Sequence, residues 1–142
     1  MARAVRPGGV VGVYVWDYAG GMELIRGFWD AAVALDPAAA ALDEGRRFPL
    51  CTRPALAGLF ETAGLGAVEA RAIDVPAVFR DFDDYWEPFL SGEGPAPGYC
   101  ASLGEDQRVA LRESLRLTLP AGPDGTIALT VRAWAARGMR AS

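Results

Sequence analysis

The sequence contains no histidine and no lysine, because all 14 of its basic residues are arginines. Without histidine, a Ser-His-Asp triad, a Cys-His dyad and every zinc site with imidazole ligands are excluded. Without lysine, the chain has neither the lysine of a phosphate-binding P-loop nor one that could form a Schiff base. Several common classes of catalytic site are therefore excluded by composition alone.

Cysteines and long apolar runs are also scarce. Cys51 and Cys100 are too few for a disulfide framework and too far apart for a CxxC motif. The longest apolar run, Val10 to Trp16, is far too short to span a bilayer, and the N-terminal "MARAVRPGG" lacks the apolar core of a signal peptide. We therefore expect a cytoplasmic protein whose cysteines stay reduced.

The composition predicts one folded domain over residues 1–142. Hydrophobic residues make up 51% of the chain and charged residues 23%, which is typical of a globular protein. No internal repeat or linker divides the sequence. The net charge of −4 argues against nucleic acid as a partner, since phosphate binding needs a concentrated basic surface.

Hydrophobic periodicity predicts the element order β-α-α-β-α-α-β. The first strand, Val10 to Tyr18, has apolar residues on both faces, which favours a parallel or mixed sheet with helices on both sides. Helical spacing follows over residues 22–35, and further strands are predicted at 67–75 and 126–136. The glycine- and proline-rich segment 91–99 is predicted to be a flexible loop.

Four stretches, in this order, resemble the second half of class I S-adenosylmethionine-dependent methyltransferases that act on small molecules. They are "RAVRPGGVVGVYVWD" (3–17), "TRPALAGLFETAGLGAVEARAIDV" (52–75), "FRDFDDYWEPFL" (79–90) and "DGTIALTVRAWAARG" (124–138). In the family they correspond to entry into the fifth strand, a helix leading to the sixth strand, a segment that caps the acceptor pocket, and an antiparallel seventh strand. The resemblance implies an α/β fold, namely the C-terminal part of a Rossmann-like methyltransferase sheet. That part would have about three strands, the last one antiparallel, with helices on the faces.

The same resemblance implies S-adenosylmethionine as the cofactor, bound by a glycine-rich turn and an acidic residue in the first half of the family's domain. This sequence has no such turn. "PGGVVG" has its glycines before a strand instead of after one, and "GEGPAPG" has the wrong spacing. We therefore expect no cofactor-binding residues in this chain, which would be a C-terminal fragment and inactive by itself.

The first predicted strand lacks a neighbour on one side. In a complete methyltransferase domain, strand 10–18 would pair with a fourth strand that this sequence does not contain. An exposed apolar strand edge favours association or aggregation. We expect this edge to be covered by a second copy of the chain, by the missing half, or by rearranged local structure.

Two groups of residues are candidates for binding a small-molecule acceptor. Trp16, Asp17 and Tyr18 lie at the carboxyl end of the first strand, where ligands bind in open α/β sheets. In the alternative interpretation, the two aromatic side chains belong to the core and Asp17 only caps the following turn.

The second group consists of Tyr85, Trp86 and Tyr99, which could form a lid over an apolar acceptor. The alternative is a short amphipathic helix that packs on the sheet. The acidic run between Asp81 and Glu87 does not have the spacing of a calcium-binding loop, so it predicts a solvated helix N-terminus and no metal site.

Two hypotheses about function follow. In the first, the chain is a methyltransferase, or a portion of one, that acts on a small-molecule acceptor. In the second, it is a non-catalytic α+β module that dimerises through strand 10–18 and binds an apolar ligand or a protein. Neither hypothesis involves nucleic acid or a membrane.

Overall fold

The strand that comes last in the sequence lies at the centre of the sheet. The computed structural model describes residues 2–141. Strand β1 (Val10–Trp16) and strand β2 (Leu65–Phe79) each pair antiparallel with strand β3 (Ile127–Arg140), giving the order β1-β3-β2. The neighbouring strands are therefore all antiparallel, so the prediction of a parallel or mixed sheet was wrong. Strands β1 and β2 run in the same direction, but they do not pair because β3 lies between them.

Helices fill the connections between the strands. The described part of the chain forms six α-helices: α1 (Glu23–Leu35), α2 (Glu44–Arg47), α3 (Arg53–Thr62), α4 (Phe82–Trp86), α5 (Pro95–Ser102) and α6 (Glu105–Thr118). Short 3₁₀ helices cover Ala2–Ala4, Pro37–Ala41 and Glu87–Leu90. The result is an α/β fold with a three-stranded antiparallel sheet. Among the described residues, no helix is both long enough and apolar enough to cross a membrane.

Two hydrophobic clusters lie on opposite faces of the sheet, because side chains alternate between the faces along each strand. On one face, Ile127 and Leu129 of β3 pack against α1, α4, α5 and α6 in what we call the helical cluster. Its largest fully buried side chains include Trp29, Tyr85 and Phe28. On the other face, Leu56 and Phe60 of α3 pack against β1, β2 and β3 in the smaller α3 cluster.

Strand β1 is covered on one face only, so the prediction of helices on both sides of it was wrong. Val11 is buried in the α3 cluster, whereas Val10 is 58% exposed and Tyr14 is 71% exposed on the opposite face. The reason is positional. The helical cluster covers the first residues of β3, whereas β1 pairs with residues 133–139 of that strand.

We call the uncovered region the open face. Its members share one side of the sheet and lie beyond the helical cluster; they are Val10, Gly12, Tyr14, Trp16, Glu69, Arg71, Ile73, Ala135, Arg137 and Met139. A shallow groove of about 390 Å³ runs between Tyr14 and Arg71 over the small side chain of Ala135. The open face is therefore a mixed apolar and charged surface.

Other elements differ from the predictions in extent. Strand β1 ends at Trp16, and β2 and β3 are longer than their apolar patterns indicated. The prediction of a flexible loop over 91–99 was wrong for its second part, because α5 begins at Pro95. Proline at the first turn of a helix loses no hydrogen bond, so a proline-rich stretch can begin a helix.

Candidate functional site

The chain turns sharply after β1, and Asp17 organises this turn. Its carboxylate accepts a hydrogen bond of 2.8 Å from the backbone N–H of Gly21, and its own carbonyl accepts one of 3.0 Å from Met22. Asp17 is buried. A Cβ at Gly21 would lie 2.5 Å from Cβ of Arg132, so only glycine fits at this position. The structure thus gives Asp17 the turn-forming contact of the alternative interpretation.

The segment between α1 and α3 folds over the end of β1 and is held by one ion pair. Arg26 of α1 donates two hydrogen bonds to Asp43, of 3.0 and 2.8 Å, and a third of 3.2 Å to the carbonyl of Tyr18. Asp43 also accepts from the N–H of Gly45, at 2.8 Å, which caps α2. These contacts fix three parts of the chain relative to one another.

Asp43 is buried, and its surroundings favour the charged form. Burial by itself raises the pKa of a carboxyl group. Here the hydrogen bonds from Arg26 and Gly45 outweigh burial, so the pKa of Asp43 lies below its ordinary value. The pKa of Arg26 is raised by the same pairing, against the opposing effect of its burial. Asp43 is therefore a charged, structural group in the neutral pH range.

Next to this ion pair lies a second buried carboxylate. Glu44 accepts a hydrogen bond from the indole N–H of Trp29, which is fully buried in the helical cluster. Burial raises the pKa of Tyr18, and the nearby carboxylate of Glu44 raises it further. The ring of Tyr18 lies 5.7 Å from that of Phe48, which is 41% exposed. We call this group, Tyr18, Glu44, Phe48 and Cys51, the Glu44 site.

The Glu44 site brings two aromatic side chains, those of Tyr18 and Phe48, near a buried carboxylate. Tyr18 and Cys51 are half-buried and Phe48 is exposed, whereas Glu44 is buried. Such an arrangement can hold the apolar part of a small molecule and accept a hydrogen bond from its hydroxyl or amino group. It lies just after the end of β1, and of the residues predicted there it includes Tyr18.

The structure does not bring all of the predicted acceptor residues together. Trp16 lies on the open face at 40% exposure, on the side of the sheet opposite to the preceding residue, Val15. Asp17 is taken up by the turn, and only Tyr18 belongs to the Glu44 site. The trio that is continuous in sequence is therefore divided between two locations.

Tyr85, Trp86 and Tyr99 are buried in the helical cluster. The hydroxyl of Tyr85 donates to the carbonyl of Leu24 at 3.1 Å, and burial raises the pKa of this hydroxyl. Trp86 stacks parallel to Phe82 with 6.4 Å between ring centroids. For Tyr85 and Trp86 this is the packing arrangement of the alternative interpretation.

Tyr99 is closer to the candidate site than the other two. Its ring packs 5.6 Å from that of Trp29, whose indole N–H binds Glu44. It also lines a cavity of about 160 Å³ between α1, α5 and α6, together with Leu35, Asp36 and Leu103. Burial and the charge of Asp36 raise the pKa of Tyr99. The cavity is smaller than most ligand pockets, so it suits a small substituent better than a whole ligand.

Sequence reasoning missed Arg26, Asp43, Glu44 and Phe48. The last three fall in "DEGRRFPLC", which has the composition of an irregular polar connection. An acidic pair before a glycine is a weak signal of a capped helix start. Nothing in the local pattern shows that Arg26, 17 residues before Asp43, is its partner.

The acidic run before and within α4 forms ion pairs with arginines. Asp83 accepts from Arg112 at 2.6 Å, and Asp84 pairs with Arg80 at 3.0 Å. Within residues 2–141, no three side chains of histidine, cysteine or acidic type come together as a possible metal-binding set.

A scan against protein-family models and a search of curated proteins found no match to this chain.

Proposed function

We propose that the chain is the acceptor-side part of an S-adenosylmethionine-dependent methyltransferase that acts on a small molecule. The observation that carries the proposal is the Glu44 site, in which two aromatic side chains lie near a buried carboxylate just after the end of β1. The antiparallel course of β3, the last strand, also agrees with the resemblance in sequence.

The turn after β1 does not fit the adenosyl cofactor itself. The turn that follows β1 contains Gly20 and Gly21, but the space beside Gly21 is filled by Arg132. The carboxylate of Asp17 is already bound to the N–H of Gly21 and does not point toward an open cradle. We therefore assign no step of methyl transfer to this turn, and in this proposal the cofactor would be bound elsewhere.

In this proposal the chain binds and orients the acceptor. Tyr18 and Phe48 would contact its apolar part, and Glu44 would accept a hydrogen bond from its hydroxyl or amino group. Such positioning is a large part of catalysis when two reactants must be aligned. Because Glu44 already accepts from Trp29, ligand binding should change the environment of the Trp29 indole N–H.

This contact provides the test, with phenol and aniline as probes. The NMR signal of the Trp29 indole N–H, assigned with Trp29→Phe, should shift on titration with either probe. Phe48→Ser should abolish the saturable shift, whereas Leu59→Ser, an exposed position on α3, should preserve it. Equal binding by Phe48→Ser, or no shift with either probe, would contradict the proposed acceptor site.

A second measurement separates the acceptor side from the cofactor side. Calorimetry with S-adenosylmethionine should detect no saturable binding by residues 1–142, and such binding would overturn the assignment. The coding sequence upstream of Met1 tests the family. An in-frame strand, glycine-rich turn and helix would support a methyltransferase, whereas an unrelated domain in that place would favour the binding module.

A further inference from the structure

Strand β1 has a free edge whose hydrogen-bonding groups can be assigned to individual residues. The N–H of Asp17 donates to the carbonyl of Arg132, and the carbonyl of Gly9 accepts from Arg140, each at 2.9 Å. In an antiparallel pair of strands, every second residue directs its backbone N–H and C=O toward the neighbouring strand. In β1 these are the odd-numbered residues, whose backbone groups are bonded to β3. Val10, Gly12, Tyr14 and Trp16 consequently direct their backbone groups away from β3, and no strand among residues 2–141 pairs with them.

The opposite edge of the sheet, formed by β2, is protected against pairing. It contains Pro76, a bulge near Ala67 where φ is +49°, and the charged side chains of Glu69, Arg71 and Asp74. Prolines, bulges and charges are the usual means by which natural edge strands avoid pairing with other chains. Strand β1 has none of them, because its sequence is "VVGVYVW".

We propose that, in a protein made of residues 1–142, β1 pairs antiparallel with β1 of a second copy of this chain, about a two-fold axis at Val13. This inference is independent of the proposed function, since a fourth strand would occupy the same edge in a complete methyltransferase domain. Residues with outward-directed backbone groups must face each other across such a pair. Among two-fold registers, the one centred on Val13 pairs all seven residues of the strand. This pairing joins the two three-stranded sheets into a single six-stranded sheet, with the strand order β2-β3-β1-β1-β3-β2.

The side chains of the strand are self-complementary in this register. Gly12 faces Tyr14 of the partner subunit, so a ring covers the space that a glycine leaves. Val10 faces Trp16 of the partner subunit, an aromatic and β-branched pair of the kind that stabilises sheets. No like charges oppose each other, because the strand has no charged residue. The exposed side chains of Val10, Tyr14 and Trp16 would then cover one another.

Sedimentation of the chain over a wide range of concentrations tests the association. The chain should form a dimer, and Tyr14→Lys should shift the equilibrium to monomer by at least tenfold in dissociation constant. Val78→Lys places the same charge on β2 at a position of 63% exposure and should leave the dimer unchanged. A monomer at every concentration, or a dimer that Tyr14→Lys does not weaken, would overturn the proposal.

Cross-linking tests the register. Val13 lies on the axis at a non-hydrogen-bonded position, where Cα atoms are about 4.5 Å apart and a disulfide can form. In a Cys51→Ser background, Val13→Cys should form a covalent dimer on mild oxidation. The equally half-buried Val15→Cys should not, because its partner position is residue 11. Efficient cross-linking at 15 without cross-linking at 13 would overturn the register. Association only with a different polypeptide would overturn the choice of partner.

Discussion

The two faces of the sheet are stabilised unequally. The helical cluster buries the rings of Phe28, Trp29 and Tyr85 among four helices, whereas the α3 cluster contains one helix and a few side chains. Strand β1, with its free edge and open face, contributes its buried side chain, Val11, to the smaller cluster. The part of the described chain with a free strand edge is thus also the part with the smaller core.

Loss of a ring from the helical cluster should have the largest effect. Phe28 is fully buried and stacks on Phe89 with 4.6 Å between centroids. Phe28→Ala should lower the free energy of unfolding by about 3–5 kcal/mol. Urea unfolding followed by circular dichroism measures this loss. Leu117→Ala, at a position of 85% exposure, should change it by less than about 0.5 kcal/mol. Equal effects of the two substitutions would show that the helical cluster is not the main core.

A truncation in the α3 cluster should have a smaller and more local effect. Leu56 is buried against the sheet, and Leu56→Ala should cost about 2–3 kcal/mol. Because this cluster is small, the loss should increase local opening. Amide hydrogen exchange should become faster in β1 and α3 than in α1 and α6. A uniform change across all four elements would mean that the two clusters unfold as one unit.

The smallest effect is expected at the ion pair over the end of β1. Asp43→Asn keeps the size of the side chain but removes its charge, and it should cost about 2 kcal/mol because Arg26 loses a charged partner. Asp30 is another partner of Arg26, but its side chain is 69% exposed. Asp30→Asn should therefore lower the free energy of unfolding by less than about 1 kcal/mol. Urea unfolding of both variants makes the comparison.

The ion pair between Arg26 and Asp43 also predicts how the stability of the protein changes at acid pH. The folded-state pKa of Asp43 is lowered, so its contribution is complete above the unfolded value of about 3.9 and is lost as pH falls through the folded value. Asp43→Asn should therefore destabilise the protein at neutral pH and much less in strong acid. If the difference in free energy of unfolding between wild type and Asp43→Asn stays the same when the pH falls below the folded pKa of Asp43, this assignment is wrong.

Local pattern predicted most elements but not their arrangement. The helical spacing over residues 22–35, which includes Phe28 and Trp29, correctly predicted α1, because this spacing depends on neighbours within one or two turns. The position of β3 between β1 and β2 depends on pairings between distant residues, such as Trp16 with Ala133. Periodicity contains no information about such pairs.

The candidate site also depends on contacts between distant residues, which local sequence patterns do not predict. Tyr18 lies just beyond the carboxyl end of β1, and this position follows from the strand alone. Glu44 and Phe48 reach it only because Arg26 holds the connecting segment through Asp43. That contact joins a helix face to a polar stretch without periodicity, and neither partner is unusual in its own surroundings.

The central position of β3 has a consequence for the order of events during synthesis. Strands β1 and β2 both emerge from the ribosome before their shared partner exists, and neither can complete its backbone pairing until residues 127–140 are free. Helix α1 needs only local hydrogen bonds and can form earlier. The nascent chain should therefore expose the apolar β1 strand for most of translation, which would make it a substrate for chaperones that bind extended hydrophobic segments.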